Sequence, residues 1–126
     1  MLKSALLVTA SMVVGAGAVQ LLHAAGSSPL YTVAEINVKD RAAYEKDLPD
    51  AMKLIKDGAG VYLAGGFEKA KADVGAPPPN RFVIIRYDGG ADAYDKVWNG
   101  GLKAWTEKHA NIAEFRIIRV EGVEAK

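Results

Sequence analysis

Apolar and polar positions keep two different periods along the chain, and the switches between them mark six elements. Tyr31 to Val38 reads YTVAEINV, rich in β-branched and aromatic residues, and predicts a strand. Apolar residues fall on both of its faces, as in a central strand covered on two sides. Asp40 suits a helix N-cap, because its carboxylate can accept a backbone N–H of the first turn. Tyr44, Leu48, Ala51, Met52 and Ile55 then recur at helical spacing. Pro49 falls inside that stretch and predicts a kink or a restart, and Gly58 and Gly60 predict the stop. Val61 to Ala64 predicts a second strand, Gly65-Gly66 a bulge or a close approach of backbones, and Phe67 to Ala72 the strand's continuation. Gly75 to Asn80 (GAPPPN) is a stiff, extended connection, since its prolines fix φ and remove donors. Arg81 to Tyr87 (RFVIIRY) is the strongest strand signal. After Gly89-Gly90, helical spacing returns from Ala91 to Ala110 through Tyr94, Val97, Trp98, Leu102, Trp105 and His109. Gly100-Gly101 weakens that helix by about 1 kcal/mol per glycine relative to alanine and predicts a break. Phe115 to Val120 (FRIIRV) closes the pattern as a strand.

The resulting order, β-α-β-β-α-β, predicts a ferredoxin-like α+β fold: a four-stranded antiparallel sheet with two helices on one face. The strands are apolar on both sides, so the uncovered face asks for a partner. A second copy packed sheet against sheet, giving a homodimer, is the economical solution.

The first 25 residues follow a different rule. Lys3 is the only charge before Glu35, and an apolar run extends from Ala5 to Leu22. A positive start, an apolar stretch and small residues after it match a secretory signal, with Ala16-Gly17-Ala18 or the region of Ala24-Ala25 as cleavage sites. The rival reading is an uncleaved anchor through residues 1–22, at the short end of the roughly 17–25 residues that span a bilayer. Either way the domain lies outside the cytoplasm: periplasmic or secreted if cleaved, held at the inner membrane with the domain in the periplasm if not. The expected organisation is thus 1–25 signal or anchor, 26–30 linker, 31–122 folded domain and 123–126 tail.

Composition narrows the chemistry. The chain has 126 residues, 16 Lys and Arg against 15 Asp and Glu, and a net charge of +1, which leaves no electrostatic footprint for nucleic acid. It has no cysteine, which excludes disulfides, thiolate nucleophiles and Cys-ligated metals. His109 is the only histidine beyond His23, too few for a zinc cluster. Ser27 and Ser28 in the linker are the only serines after residue 25, so a Ser-His-Asp hydrolase is not indicated. No phosphate-cradling glycine motif follows a strand. The expectation is a protein without cofactor or metal.

What remains for acid–base work is carboxylate, tyrosine, arginine and one histidine. Glu35 interrupts an otherwise apolar strand, Arg86 on the third strand could face it, and His109 shares a helical stripe with Trp98, Leu102 and Trp105. These three are the catalytic candidates. A cross-strand ion pair would explain Glu35 equally well. Tyr44, Tyr62, Trp98 and Trp105 are the candidates for lining an apolar ligand pocket between helices and sheet, although an aromatic stripe also serves as plain core.

The phrases YTVAEINVKDRAAYEKDLPDAMKLIKDGAGVYLAGG, GAPPPNRFVIIRYD and FRIIRVEG resemble the small bacterial family catalogued as domain of unknown function 1330, over about residues 31–122. The resemblance implies the dimeric α/β-barrel superfamily, whose relatives include small oxygenases, isomerases and haem enzymes; the family itself has no established reaction. Val61, Ala64-Gly65-Gly66, Arg86 and Asn99-Gly100-Gly101-Leu102 depart from the family's usual residues. Three functional expectations follow. One is an exported dimer, non-catalytic or weakly binding an apolar or aromatic small molecule. The second is a membrane-anchored accessory subunit of a larger complex. The third is a cofactor-free isomerase or oxygenase.

Overall fold

Strand β1 (Leu30–Val38) is followed by helix α1 (Arg41–Asp57), β2 (Gly60–Phe67), β3 (Arg81–Tyr87), α2 (Gly90–Val97), a π-helical turn (Trp98–Leu102), α3 (Lys103–Lys108) and β4 (Ala113–Glu121). The computed structural model describes residues 28–123, so the signal or anchor read in residues 1–25 lies outside the described residues, as do positions 26–27 and 124–126. No helix among the described residues is long and apolar enough to cross a membrane. The strands form one antiparallel sheet in the order β2-β3-β1-β4. With α1 and the α2–α3 segment packed on one face, this is the ferredoxin-like fold that the hydrophobic pattern predicts.

Strand alternation divides the sheet into two faces. Leu30, Ala34, Ile36 and Val38 of β1 and Val83, Ile85 and Tyr87 of β3 are buried under the helices with Tyr44, Ala51, Ile55, Tyr94, Val97 and Leu102. The opposite face carries Tyr31, Val33 and Glu35 of β1 beside Phe82, Ile84 and Arg86 of β3, all half-buried. Val61 and Val120, at the edges of that face, are exposed. An apolar outer face is therefore present, as the two-sided strands predicted.

Local chemistry sets the boundaries. Asp40 is extended, and its Oδ1 accepts the Ala43 N–H at 3.1 Å, so it caps α1 as expected. Pro49 neither ends nor restarts α1, which runs unbroken through it. Proline on the exposed side loses one backbone bond, and burial of Tyr44, Ala51 and Ile55 on the other side holds the helix together. Met52 belongs to the solvent side of α1, 40% exposed, and not to the core. At the helix end the left-handed residue is Ala59 (φ 65°) and not a glycine. Gly58 and Gly60 serve packing: a Cβ on Gly58 would stand 2.1 Å from Val97 Cγ2, and one on Gly60 2.6 Å from Ile55 Cγ2.

Strand β2 stops at Phe67 and does not continue to Ala72. Glu68 takes φ 56°, and its N–H bonds to the Asn80 carbonyl at 2.9 Å, which turns the chain out of the ladder. The irregularity predicted at Gly65-Gly66 is two features. The bulge lies between Tyr62 and Ala64, with Leu63 as the extra residue. Gly65 (φ 111°) makes the close backbone approach, since a Cβ there would lie 1.9 Å from the Phe82 carbonyl oxygen. The second helix is broken at the predicted place: Gly101 has φ 145° inside the π-helical turn joining α2 to α3.

Candidate functional site

The inner layer is not completely filled. Between the helices and the sheet lies a cavity of about 50 Å³, room for on the order of three water molecules. Tyr44, Tyr62, Tyr87, Tyr94 and Trp105 contribute to its wall, with Thr32 and Arg81 among the polar members.

Each of these side chains has a traceable local cause. The Leu63 bulge shifts the ladder by one residue, so that Phe67 and not Gly66 stands opposite Arg81. Asn80 then fixes the start of β3. Its side chain accepts the Val38 N–H and donates to the Val38 carbonyl, both at 2.8 Å, so the amide acts as an extra rung of the sheet. The rung ends the proline loop and delivers Arg81 to the inner face, in step with Val83, Ile85 and Tyr87. Tyr44 meets Phe67, Trp105 and Phe115 with ring centroids 5.9, 5.6 and 6.4 Å away. Tyr87 meets Tyr94 edge-on at 5.3 Å.

The cavity carries unspent polar capacity. Arg81 is 7% exposed, and its Nε has no hydrogen-bond partner. None of the ion pairs among the described residues involves it. Its guanidinium carbon lies 5.1 Å from the Phe67 ring centre and 5.8 Å from that of Tyr44. The Tyr87 hydroxyl is also buried without a partner. Burial raises the pKa values of Tyr44 and Tyr62, an effect partly offset by Arg81 beside both. Burial raises Tyr87 further, with Tyr94 and Tyr62 adding to it. These hydroxyls therefore stay neutral and keep a proton to donate.

The structure separates the residues that the sequence grouped. Tyr44, Tyr62 and Trp105 border the cavity. Trp98 does not; it stacks on Tyr94 at 6.2 Å. Glu35 and Arg86 share the outer face but do not meet. Glu35 stands opposite Phe82 and Arg116, while Arg86 stands opposite Tyr31. Glu35 bonds to Arg116 at 3.2 Å and Arg86 pairs with Asp88 at 2.8 Å, so each has a nearer partner. His109 is buried, but both ring nitrogens are engaged, Nε2 with Asp47 Oδ2 at 2.9 Å and Nδ1 with the Trp105 carbonyl at 2.7 Å. Trp105 Nε1 donates to the Asp47 carbonyl at 3.1 Å, so this cluster fastens α3 to α1. The bond from His109 holds the Asp47 carboxyl below its ordinary pKa. No group of three or more potential metal ligands occurs among the described residues.

Arg81 is the site residue that the hydrophobic pattern did not single out. The signal was in the period: two-residue steps back from Tyr87, Ile85 and Val83 put Arg81 on the core face and Arg86 on the other. On the outer face a broader, shallower depression of about 560 Å³ is bordered by Glu35, Phe82, Ile84, Lys69 and the Pro77–Pro79 segment.

Fold and cavity define the class: a ferredoxin-like α+β domain with an incompletely filled layer between helices and sheet. Solved structures of that fold match the chain at low identity. An RPA0582 protein of unknown function from Rhodopseudomonas palustris is 14% identical, with a TM-score of 0.61 over 86% of this chain and 94% of that one. SnoaB from Streptomyces nogalater, a cofactor-independent oxygenase, is 12% identical, with a TM-score of 0.54 over 79% and 97%. HapK from Hahella chejuensis is 13% identical, with a TM-score of 0.51 over 77% and 95%. These likenesses establish the fold alone. No family model and no curated protein sequence matches the chain, so the likeness to domain of unknown function 1330 rests on the phrases quoted above.

Proposed function

We propose that this protein is a small-molecule binding domain whose site is the cavity between α1, α3 and the sheet, that its ligand is a compact aromatic molecule, and that the space of about 50 Å³, smaller than the roughly 150 Å³ that holds benzene in an apolar core, widens on binding as the helices move off the sheet. The observation that carries this is the combination of aromatic walls with buried polar atoms that have no protein partner, Arg81 Nε and the Tyr87 hydroxyl. Cores fill with side chains and satisfy their polar groups; a site built to hold something else leaves both unfinished. Trp105 borders the cavity and Trp98 does not, so a Trp98→Phe variant of the full chain makes Trp105 the sole tryptophan. Titration with 4-methylphenol should shift its emission saturably. An unchanged Trp105 spectrum at millimolar ligand would contradict the proposal.

A cofactor-free isomerase or oxygenase is the second reading. Neutral buried tyrosines and a buried cation in one cavity favour it, since such groups can hold a proton and stabilise an oxyanion. Loss of turnover with retained ligand binding in Tyr87→Phe would distinguish an enzyme from a binding domain.

We further infer a homodimer closed through the outer sheet face. Support comes from the exposed Val61 and Val120 and from the half-buried Val33 and Ile84 on that face. The export reading, and the alternative of an anchored accessory subunit, rest on residues 1–25 of the sequence. Intact mass of protein from periplasmic and detergent-extracted membrane fractions separates them: a soluble chain shortened by about 18 or 24 residues supports export, and full-length chain only in membrane supports an anchor.

A further inference from the structure

Resting on the cavity reading above, we propose that the bound aromatic molecule carries a planar oxyanion, a carboxylate or enolate, and that Arg81 is the residue that receives it. Arginine stays protonated in proteins, so Arg81 brings a full positive charge into a place where it is 7% exposed. Buried charges are ordinarily paired. Among the described residues, every carboxylate that forms an ion pair is taken by another basic side chain: Glu35 by Arg116, Asp88 by Arg86, Asp95 by Arg119, Glu45 by Arg41, Glu114 by Lys39, Asp57 by Lys53 and Asp47 by His109. Arg81 has the faces of Tyr44 and Phe67 and side-chain hydrogen bonding with Tyr44 and Tyr62, but its Nε is left unbonded. Ring faces and neutral hydroxyls compensate a cation in part and bring no opposite charge.

The geometry of the missing partner follows from the donor. A guanidinium presents a planar fork that matches two oxygens of a carboxylate, or one oxygen of a planar enolate, better than it matches a spherical ion. Thr32 adds a buried hydroxyl to the wall, and Tyr87 offers a second orphan donor for another polar atom of the ligand. The remaining wall is aromatic, which calls for a ring to carry the anion.

The test is calorimetric titration of the full chain with benzoate and with benzamide, two probes of nearly the same shape that differ in charge. Benzoate should bind at least tenfold more tightly, as a charge-assisted bond requires. Arg81→Gln should abolish that preference and leave benzamide within about twofold of its affinity for the natural chain. Equal affinities for the two probes in the natural chain would overturn the oxyanion inference while leaving the cavity reading intact, and that comparison needs no variant. A benzoate preference that survives Arg81→Gln would overturn the role of Arg81. Binding of neither probe, together with an unresponsive Trp105, would overturn the cavity reading itself.

Discussion

At the scale of single residues, Arg81 and Asp47 illustrate how a charge can cost or contribute stability. An unpaired buried guanidinium is unfavourable for the empty fold. Arg81→Met keeps the chain's volume and removes the charge, so it should stabilise the unliganded protein by about 1–3 kcal/mol in denaturant unfolding while ending anion binding. Lower stability of Arg81→Met would mean that the charge is satisfied within the fold. Asp47 behaves in the opposite sense. Its carboxyl titrates below the ordinary value because His109 bonds to it. A depressed folded-state pKa gives stability that is complete above the unfolded value near 4 and is lost as pH falls through the depressed value. The natural chain should therefore lose more stability than Asp47→Asn between roughly pH 5 and roughly pH 3, read as the change in unfolding midpoint. Equal acid sensitivity would show that the bond contributes nothing. Tyr44 and Trp105 on the helices and Tyr62 on β2 border the cavity, because each is an aromatic side chain long enough to reach the layer between helices and sheet. The charged candidates lie apart from one another. Glu35 and Arg86 share a face, but register separates them, and register depends on pairings between strands that the sequence does not spell out.

At the scale of elements, the helix stop and the bulge do more than shape the chain. The turn after α1 places Ala59 in the left-handed region and uses glycines on either side for closeness. Ala59→Gly should stabilise the protein by about 0.5–1 kcal/mol, because glycine takes that φ freely. Gly58→Ala should cost about 1–3 kcal/mol, because its Cβ would collide with Val97. Thermal unfolding of the two variants would show opposite shifts; a destabilised Ala59→Gly would contradict this account of the turn. The elements themselves were legible because period-2 and period-3.6 segments are long and separated by glycine, proline and asparagine. The ends of β2 were not. Its bulge at Leu63 and its stop at Phe67 are decided by the ladder with β3 and by the Glu68 bond to Asn80, contacts remote in sequence. The continuity of α1 through Pro49 was hidden for the same reason, since burial against the sheet overrides one lost backbone bond.

At the scale of the whole molecule, one sheet serves two surfaces. The inner face closes over an aromatic cavity, and the outer face carries the half-buried Val33 and Ile84 and the exposed Val61 and Val120. If that face closes the dimer, a charge at its centre should open it. Ile84→Asp should elute as a monomer in size-exclusion chromatography with light scattering, while the natural chain elutes as a dimer; a monomeric natural chain would remove the dimer from the account. On the proposed function, ligand enters the layer between helices and sheet and not the depression beside the proline loop. The direct measurement is an NMR titration of the isotopically labelled full chain with 4-methylphenol and with benzoate. The largest shifts should fall on Thr32, Ala34, Val83 and the Trp105 indole, which border the inner cavity. Shifts centred instead on Glu35, Ala64, Lys69 and Ile84 would move the site to the outer face and contradict the proposed function.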